Sequence, residues 1–284
     1  MGTAILGRYV LIGAIGQGGV STVYSAVDSR RARKLAVKVL APHLADNPQA
    51  REDVRREALI TDRLRHPSVP RVFEYGESPL PDGTVVPYVV FELLTGISLT
   101  ERMARGRLEW PEAVRIAATA ADVLAVAHHR GVVHRDLTAR NVMVSPAGIK
   151  IIDFGLATAA LPAGDPGAHP IVVRGDNRRL PAHPKTAFAR PADDVYTLGV
   201  LLYEMLTGRS PYPPAMAATI MAAGRVVHLA PTPVLAIAGL PPRLRDLVRA
   251  CMAKKPEDRP RSADVALSLW HLLEEVRLPE PSVN

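Results

Sequence analysis

The sequence predicts an α+β fold in two lobes, a small amino-terminal lobe of five β-strands with one main helix and a larger, mostly helical lobe. Three observations predict it. Up to about residue 94, short runs alternate apolar and polar residues at period two between glycine and proline turns. From Ser98 onward the apolar residues recur at helical three- and four-residue spacing. Between helical stretches lies Val132–Met143, where polar side chains sit between apolar runs, as in a loop that presents functional groups from a rigid scaffold. The expected division is 1–94 for the small lobe, 95–276 for the large lobe and 277–284 for a polar tail.

At 284 residues and 48% hydrophobic content, the chain is long enough to bury a substantial core. No apolar run reaches about 18 residues without a charge, so no membrane span is expected. The first residues lack the charged-then-apolar plan of a secretory leader, and a myristoylation signal would need Ser or Thr where Leu6 stands. The single Cys251 cannot form an internal disulfide, which agrees with a reducing compartment, and a cytoplasmic location is expected. The net charge is +7, yet only six of the 35 basic residues are Lys. That arginine excess, with many Ala and Pro, reads as the coding bias of a GC-rich bacterial genome, and no nucleic-acid binding is expected. The nine His lack metal-ligand spacing, and the adjacent His128 and His129 are expected at the surface.

In the small lobe, Arg8–Ile12 reads as a strand entering Gly16-Gln17-Gly18-Gly19-Val20-Ser21, and Thr22–Val27 returns as its partner. Glycines at 16 and 18 would let the backbone approach a phosphate and offer its N–H groups. Leu35–Leu40 is a strand with Ala36, Lys38 and Leu40 on one face. A lysine among apolar neighbours is costly unless paired. The spacing predicts a helix over Arg51–Leu64 with Val54, Glu57, Thr61 and Leu64 facing inward, so Glu57 points where Lys38 could meet it. Arg71–Gly76 and the nearly all-apolar Tyr88–Leu94 complete the five strands, the latter expected at the centre of the sheet.

In the large lobe, Ser98-Leu99-Thr100-Glu101 is a capping box. Pro111 opens a longer helix with a buried stripe of Val114, Ala117, Ala118, Ala121, Leu124, Ala125 and His128, closed by Gly131. Residues 158–192 form a long loop rich in Pro, Gly, Ala and Arg. Asp194–Gly208 is apolar nearly all round and reads as a core helix with an acidic start. Helices over Pro242–Met252 and Ser262–Val276 flank Lys255-Pro256-Glu257-Asp258-Arg259-Pro260.

Asp136 and Asn141 stand five residues apart on the Val132–Met143 stretch, and Asp153-Phe154-Gly155 follows twelve residues later. One proton acceptor and two oxygen ligands for a small hard cation are what phosphoryl transfer from a magnesium nucleotide needs. His134-Arg135-Asp136, Asn141 and Asp153-Phe154-Gly155, with Lys38 and Glu57 upstream, resemble the signature of protein kinases, specifically the bacterial Hanks-type (eukaryotic-like) serine/threonine branch, over about residues 8–276. The resemblance implies a bilobal kinase fold and transfer of the γ-phosphoryl of ATP to a Ser or Thr hydroxyl of a protein substrate, autophosphorylation included. It implies Asp136 as the group accepting or orienting the substrate hydroxyl, and Asn141 and Asp153 as ligands of Mg2+, with Mn2+ as an alternative metal. Lys38 would hold the α- and β-phosphates and Glu57 would hold Lys38. Gly16, Gln17, Gly18 and Gly19 would cover the phosphates, Phe91 would guard the back of the adenine pocket, and Glu92 and Leu94 would bond the adenine edge. Ile15, Val23, Ala36 and Met143 would sandwich the ring. Asp194 would brace the catalytic loop, and small-lobe pairing into a homodimer is implied by analogy.

Three positions depart from that pattern. Thr138 stands where the branch has Lys two residues after the catalytic Asp, and Arg140 is placed as in receptor tyrosine kinases to supply the missing cation. The Gly175–His183 region lacks the expected Gly-Thr and Ala-Pro-Glu, and no Glu lies between Asp176 and Asp193. In the family that Glu pairs with the buried Arg, here Arg259, so Arg259 is expected either exposed or bound to another acceptor. No Ser, Thr or Tyr lies between Thr158 and Thr186, so a loop not switched by phosphorylation within 159–185 is expected. A nucleotide-binding pseudokinase acting as a scaffold or allosteric partner is the alternative reading, and a small-molecule kinase is a third.

Overall fold

The computed structural model describes residues 4–5, 8–154, 158–159, 190–212 and 231–277. The Gly175–His183 region, most of the long 158–192 loop and the tail from 278 lie outside those residues. The chain divides into two compact units, Met1–Gly96 with Lys150–Leu156, and Ile97–Ile149 with Ala157–Asn284. The segment from Lys150, expected with the large lobe, groups with the first unit because its bonds run there. Ile151 N donates to Ser68 O at 2.7 Å and Lys150 Nζ to Glu92 Oε2 at 2.9 Å.

The first unit is an antiparallel sheet built from β1 (Ala4–Ile5), β2 (Tyr9–Gln17), β3 (Ser21–Asp28), β4 (Arg33–Leu40), β5 (Val72–Pro79) and β6 (Val85–Glu92), in the order β1-β2-β3-β4-β6-β5. The five expected strands are joined by the two-residue edge strand β1. Strand β2 runs on through the glycine-rich segment to Gln17, with register shifts between Leu11 and Gly13 and between Ala14 and Gly16. Each shift leaves one residue unpaired, and the two skipped side chains, Ile12 and Ile15, are 65% and 55% exposed. The apolar strand β6 is interior, as its composition demanded, but its ladder stops at Glu92 and leaves Leu93 and Leu94 beyond it.

Helix α1 (Pro48–Leu64) starts three residues earlier than Arg51, because Asn47 caps it by accepting from Ala50 N at 3.1 Å and Pro48 occupies the first turn. Its buried residues are Ala50, Val54, Glu57, Ala58, Thr61 and Leu64, the expected stripe plus two alanines. Ala50, Val54 and Ala58 pack with Val37, Val39, Tyr88 and Val90 of the sheet. Elsewhere on the sheet the Glu74 carboxylate accepts from Tyr9 Oη at 2.6 Å, Tyr88 Oη at 2.8 Å and Arg8 Nη1 at 3.0 Å. Arg8 also bonds Asp28 at 3.0 Å. Gly76 faces Tyr88 in the β5–β6 ladder, and a β-carbon there would lie 2.7 Å from the Tyr88 hydroxyl oxygen. Only glycine leaves room for the ring to reach Glu74.

The second unit begins with β7 (Ile97–Ser98) and α2 (Leu99–Ala104), whose capping box from Ser98 to Glu101 forms as expected. The helices α3 (Trp110–His129), α4 (Pro191–Thr207), α5 (Pro242–Cys251) and α6 (Ser262–Arg277) make up its body among the described residues. Instead of a single stripe, α3 is buried nearly all round, with Ala113, Ile116, Thr119, Ala120, Val123 and Ala127 also inside, because α4 and α6 both pack on it. Its Ala125 is only half-buried. Trp270 Nε1 on α6 donates to Asp122 on α3 at 2.7 Å. Helix α4 begins at Pro191 rather than Asp194 and ends on Gly208 at φ 69°, a left-handed turn suited to glycine.

Candidate functional site

In the first unit, the register of the sheet decides which expected residues share a face. Val23 pairs with Gly16 on one side and Lys38 on the other, and Lys38 pairs with Val89. Two residues along β4, Ala36 pairs with Phe91. Directly opposed residues in a ladder point the same way, as do residues two apart along a strand. Val23, Ala36, Lys38 and Phe91 therefore line one face, an apolar patch with a single ammonium in it, below the exposed Gly16, Gln17, Gly18 and Gly19. Gly18 N donates to Ser21 O at 2.9 Å, which closes the tip of the β2–β3 hairpin. Ile15 stands on its bulge at the margin of this patch. At the last residue of β6, Glu92 N donates to Arg71 O at 2.9 Å, and beyond it the Leu94 N–H makes no backbone hydrogen bond among the described residues.

The ammonium of Lys38 is fully committed. It donates to both carboxylate oxygens of Glu57 at 2.7 Å and to Asp153 Oδ1 at 3.3 Å. Burial alone would pull its pKa down, but the facing carboxylates of Glu57 and Asp153 more than reverse that and hold it above the ordinary lysine value. A 2.7 Å contact to each oxygen of a 6% exposed carboxylate also shields Glu57 from solvent. Asp153 is more open, with a 44% exposed side chain. Its backbone is left-handed at φ 65°, which costs a non-glycine residue about 1–3 kcal/mol.

In the second unit, residues of the Val132–Met143 stretch are fixed from beneath. Asp194 Oδ2 accepts from His134 N at 2.7 Å and Asp194 Oδ1 from Arg135 N at 2.8 Å. Arg135 is held at φ 68°, a second left-handed non-glycine position. Burial pulls the Arg135 guanidinium below its ordinary pKa, against the pull of Asp194 and Asp193. Asn141, 8% exposed, donates through Nδ2 to Asp136 O at 2.8 Å and to Asp136 Oδ2 at 3.0 Å. Both acceptors are oxygens, so the nitrogen of the carboxamide must face them and its oxygen points elsewhere. The short ladder that carries Met143 pairs Ile97 with Val144 and Ser98 with Met143. Arg140 is exposed, and the Thr138 hydroxyl oxygen is buried without a hydrogen-bond partner among the described residues.

The partners of His128 and of Arg259 come from distant parts of the chain. His128, placed both in the buried stripe of its helix and, with His129, at the surface, has a side chain only 9% exposed, with Nε2 2.8 Å from Asp194 Oδ2 and Nδ1 2.8 Å from Ser262 Oγ. Its partners lie 66 and 134 residues away, so spacing carries no trace of them. Arg259 has found other acceptors, one of the two expected outcomes. It donates to Ala253 O and Ala192 O at 2.9 Å, and to Lys254 O and Asp193 Oδ1 at 3.3 Å. Asp193, immediately before the bracing Asp194, is the carboxylate among these acceptors, and the bonds to Ala253 O and Ala192 O are the shorter ones.

No cluster of three or more His, Cys, Asp and Glu able to hold a metal exists among the described residues. The donor types still suit a hard cation. Amide and carboxylate oxygens, the kind that Asn141 and Asp153 each carry, are the donor types that Mg2+ takes. No helix among the described residues is long and apolar enough to cross a membrane.

A family model described as protein kinase domain matches residues 9–271. The chain is 36% identical over 267 residues to the serine/threonine-protein kinase PknA of Mycobacterium tuberculosis, covering 92% of this chain and 60% of that protein. It is 36% identical over 279 residues to the probable serine/threonine-protein kinase PknB of Corynebacterium glutamicum, covering 94% of this chain and 42% of that protein. The match to PknB of Mycobacterium tuberculosis is 34% identical over 260 residues and covers 41% of that protein. The chain thus spans 60% or less of the length of these relatives.

Proposed function

Because the chain belongs to the protein kinase domain family, we propose that it transfers the γ-phosphoryl of ATP to Ser or Thr hydroxyls of proteins, itself among them. The observation that carries this reading is Lys38 bonded at once to Glu57 and Asp153. A buried ammonium held charged between two carboxylates is a costly arrangement that a structural core does not need. It suits a site that must receive a polyanion.

In this reading Lys38 holds the α- and β-phosphates, and Glu57 keeps the ammonium charged and aimed. The face formed by Val23, Ala36 and Phe91, with Ile15 and Met143, takes the adenine ring, and Glu92 and Leu94 bond its edge through their backbone. Gly16–Gly19 cover the phosphates. Asp136 orients the substrate hydroxyl and accepts its proton, with its carboxylate steadied by Asn141 Nδ2. Asn141 and Asp153 hold a divalent cation, Mg2+ or Mn2+, which when bound neutralises charge on the phosphate oxygens. Arg140 supplies the cation that Thr138 cannot. A cytoplasmic setting is part of the same reading, and the single cysteine, the buried Cys251, agrees with a reducing compartment. Pairing of two copies through the small lobe is part of the same reading.

The test is transfer of radiolabelled γ-phosphate to the chain itself and to a generic protein, with Mg2+ and Mn2+ compared. Lys38→Ala and Asp136→Asn should each abolish incorporation. Metal-dependent nucleotide binding by the parent chain without any transfer would overturn catalysis and leave a binding role.

A further inference from the structure

Helix α1 joins the buried cluster of the sheet through small side chains, and its one large buried apolar residue, Leu64, lies at its last position. Ala50, Val54 and Ala58 are its members of the buried cluster, and two of the three are alanines. So small an apolar contact leaves the position and rotation of a helix weakly determined. The bond from Glu57 to Lys38 fixes one point on α1, and one point does not stop a helix pivoting. Several other polar pairs on α1 stay within it, Arg55 with Glu52 at 3.9 Å, Arg56 with Asp53 at 3.3 Å and Gln49 with Asp53 at 2.7 Å.

Arg51 is different. Its half-buried guanidinium reaches three groups outside the helix. Nη1 donates to Ala45 O and to Val85 O, each at 3.0 Å, and Nη2 lies 2.7 Å from Glu77 Oε2. Those acceptors sit on the connection before α1, at the first residue of β6 and on β5. Arg51 and Glu57 are six residues apart, about 9 Å along a helix at 1.5 Å per residue. Two attachments at that separation define both where α1 sits and how it is turned.

We infer that Arg51 is a positioning residue that holds α1 on the β5–β6 hairpin so that Glu57 meets Lys38. Its planar fork satisfies two carbonyls and a carboxylate together, which a lysine cannot reproduce. The inference rests on the assignment of Lys38 and Glu57 to phosphate binding, and its test separates the two. Arg51→Met keeps the stem and removes the fork. In hydrogen exchange, the α1 amides of Arg51→Met should exchange at least about tenfold faster while the β3, β4 and β6 ladder amides are unchanged. Glu77→Gln, which keeps both carbonyl bonds, should give a smaller change in the same segment. Unchanged α1 protection in Arg51→Met would overturn the inference whether or not the chain is an enzyme.

The second measurement is a double-mutant cycle on phosphate transfer. Arg51→Met should lower kcat/KM about tenfold in the parent and hardly at all in a Glu57→Gln background, because there is then no pairing left to misplace. Equal losses in both backgrounds would mean that Arg51 acts only on general stability, and would sink the inference. A parent chain that transfers no phosphate would remove the enzymatic reading, with the exchange experiment still deciding what Arg51 holds.

Discussion

Removing the Arg259 guanidinium tests how this chain survives without the expected glutamate. The side chain is 5% exposed, whereas Asp193, its only carboxylate partner among the described residues, is 38% exposed. A half-open ion pair at 3.3 Å is worth at most about 1 kcal/mol after solvent screening. The bonds to Ala253 O and Ala192 O are shorter, at 2.9 Å, and charge-assisted bonds of that kind contribute about 1.5 kcal/mol each. Stacking on the Tyr196 ring at 4.8 Å adds about 0.5–1 kcal/mol. Arg259→Met should therefore cost about 3.5–5 kcal/mol, and Asp193→Asn less than about 1 kcal/mol. At about 2–4 °C per kcal/mol for a domain of this size, that is a fall of roughly 7–20 °C in Tm for the first and under about 4 °C for the second. Differential scanning calorimetry of the three proteins at neutral pH and one scan rate measures it. An Asp193→Asn loss as large as that of Arg259→Met would refute the reasoning. It would mean that the carboxylate rather than the backbone carbonyls had replaced the glutamate.

Three further outcomes follow from the same coordinates. Gly76→Ala would put a β-carbon 2.7 Å from the Tyr88 hydroxyl oxygen and push the ring off Glu74, so a loss of about 1–3 kcal/mol is expected in urea unfolding. Burial, with the bond to Glu74, raises the Tyr9 pKa from 10.0 to about 12. The folded chain keeps that proton when the unfolded chain has lost it, so this contribution is complete below pH 10 and is lost between pH 10 and about 12. Tyr9→Phe should flatten that part of the stability curve. Asp194→Asn offers one acceptor oxygen where a carboxylate served His134 N, Arg135 N and His128 Nε2. Under the kinase reading it should lower kcat at least about tenfold with little change in nucleotide Kd, as stopped-flow binding and steady-state rates would show.

What was legible in the sequence is what local pattern determines. The period-two runs gave the strands, and the stripe on α1 placed Glu57 toward Lys38 before any coordinates, because a helix face and a strand face are each set by residues a few positions apart. The misreadings share an opposite cause. Period two could not foresee the bulges that turn Ile12 and Ile15 outward, since a bulge inserts one residue and resets the alternation. Helix periodicity marked one stripe on α3, while the number of faces buried depends on how many helices dock there, which no window of α3 itself contains. The site divides the same way. Lys38, Glu57, Asp136 and Asn141 stand out by residue type in their local setting, and Asp194 and Arg259 stand out through the family resemblance, whereas the bonds that join them with His128, Ser262 and Asp193 are assembled from α3, α4, α6 and the segment before α6.

The support also explains how a missing motif can be tolerated. The family's Arg–Glu pair joins two distant segments, and its physical requirement is that a buried guanidinium have acceptors, not that one acceptor be glutamate. Here three carbonyls and Asp193 meet that requirement. Because Ala192 and Asp193 directly precede Asp194 on α4, Arg259 grips the turn of helix whose next residue holds His134 N and Arg135 N. His128 reaches the same carboxylate from α3 and ties it to Ser262 at the start of α6. Asp194 is thus fixed through its own backbone turn and through its side chain, and it in turn holds Arg135 at φ 68°. Strain of that kind persists only where the surroundings over-determine it. The absence of a glutamate from 176–193 therefore leaves the platform under Asp136 with its bonds intact.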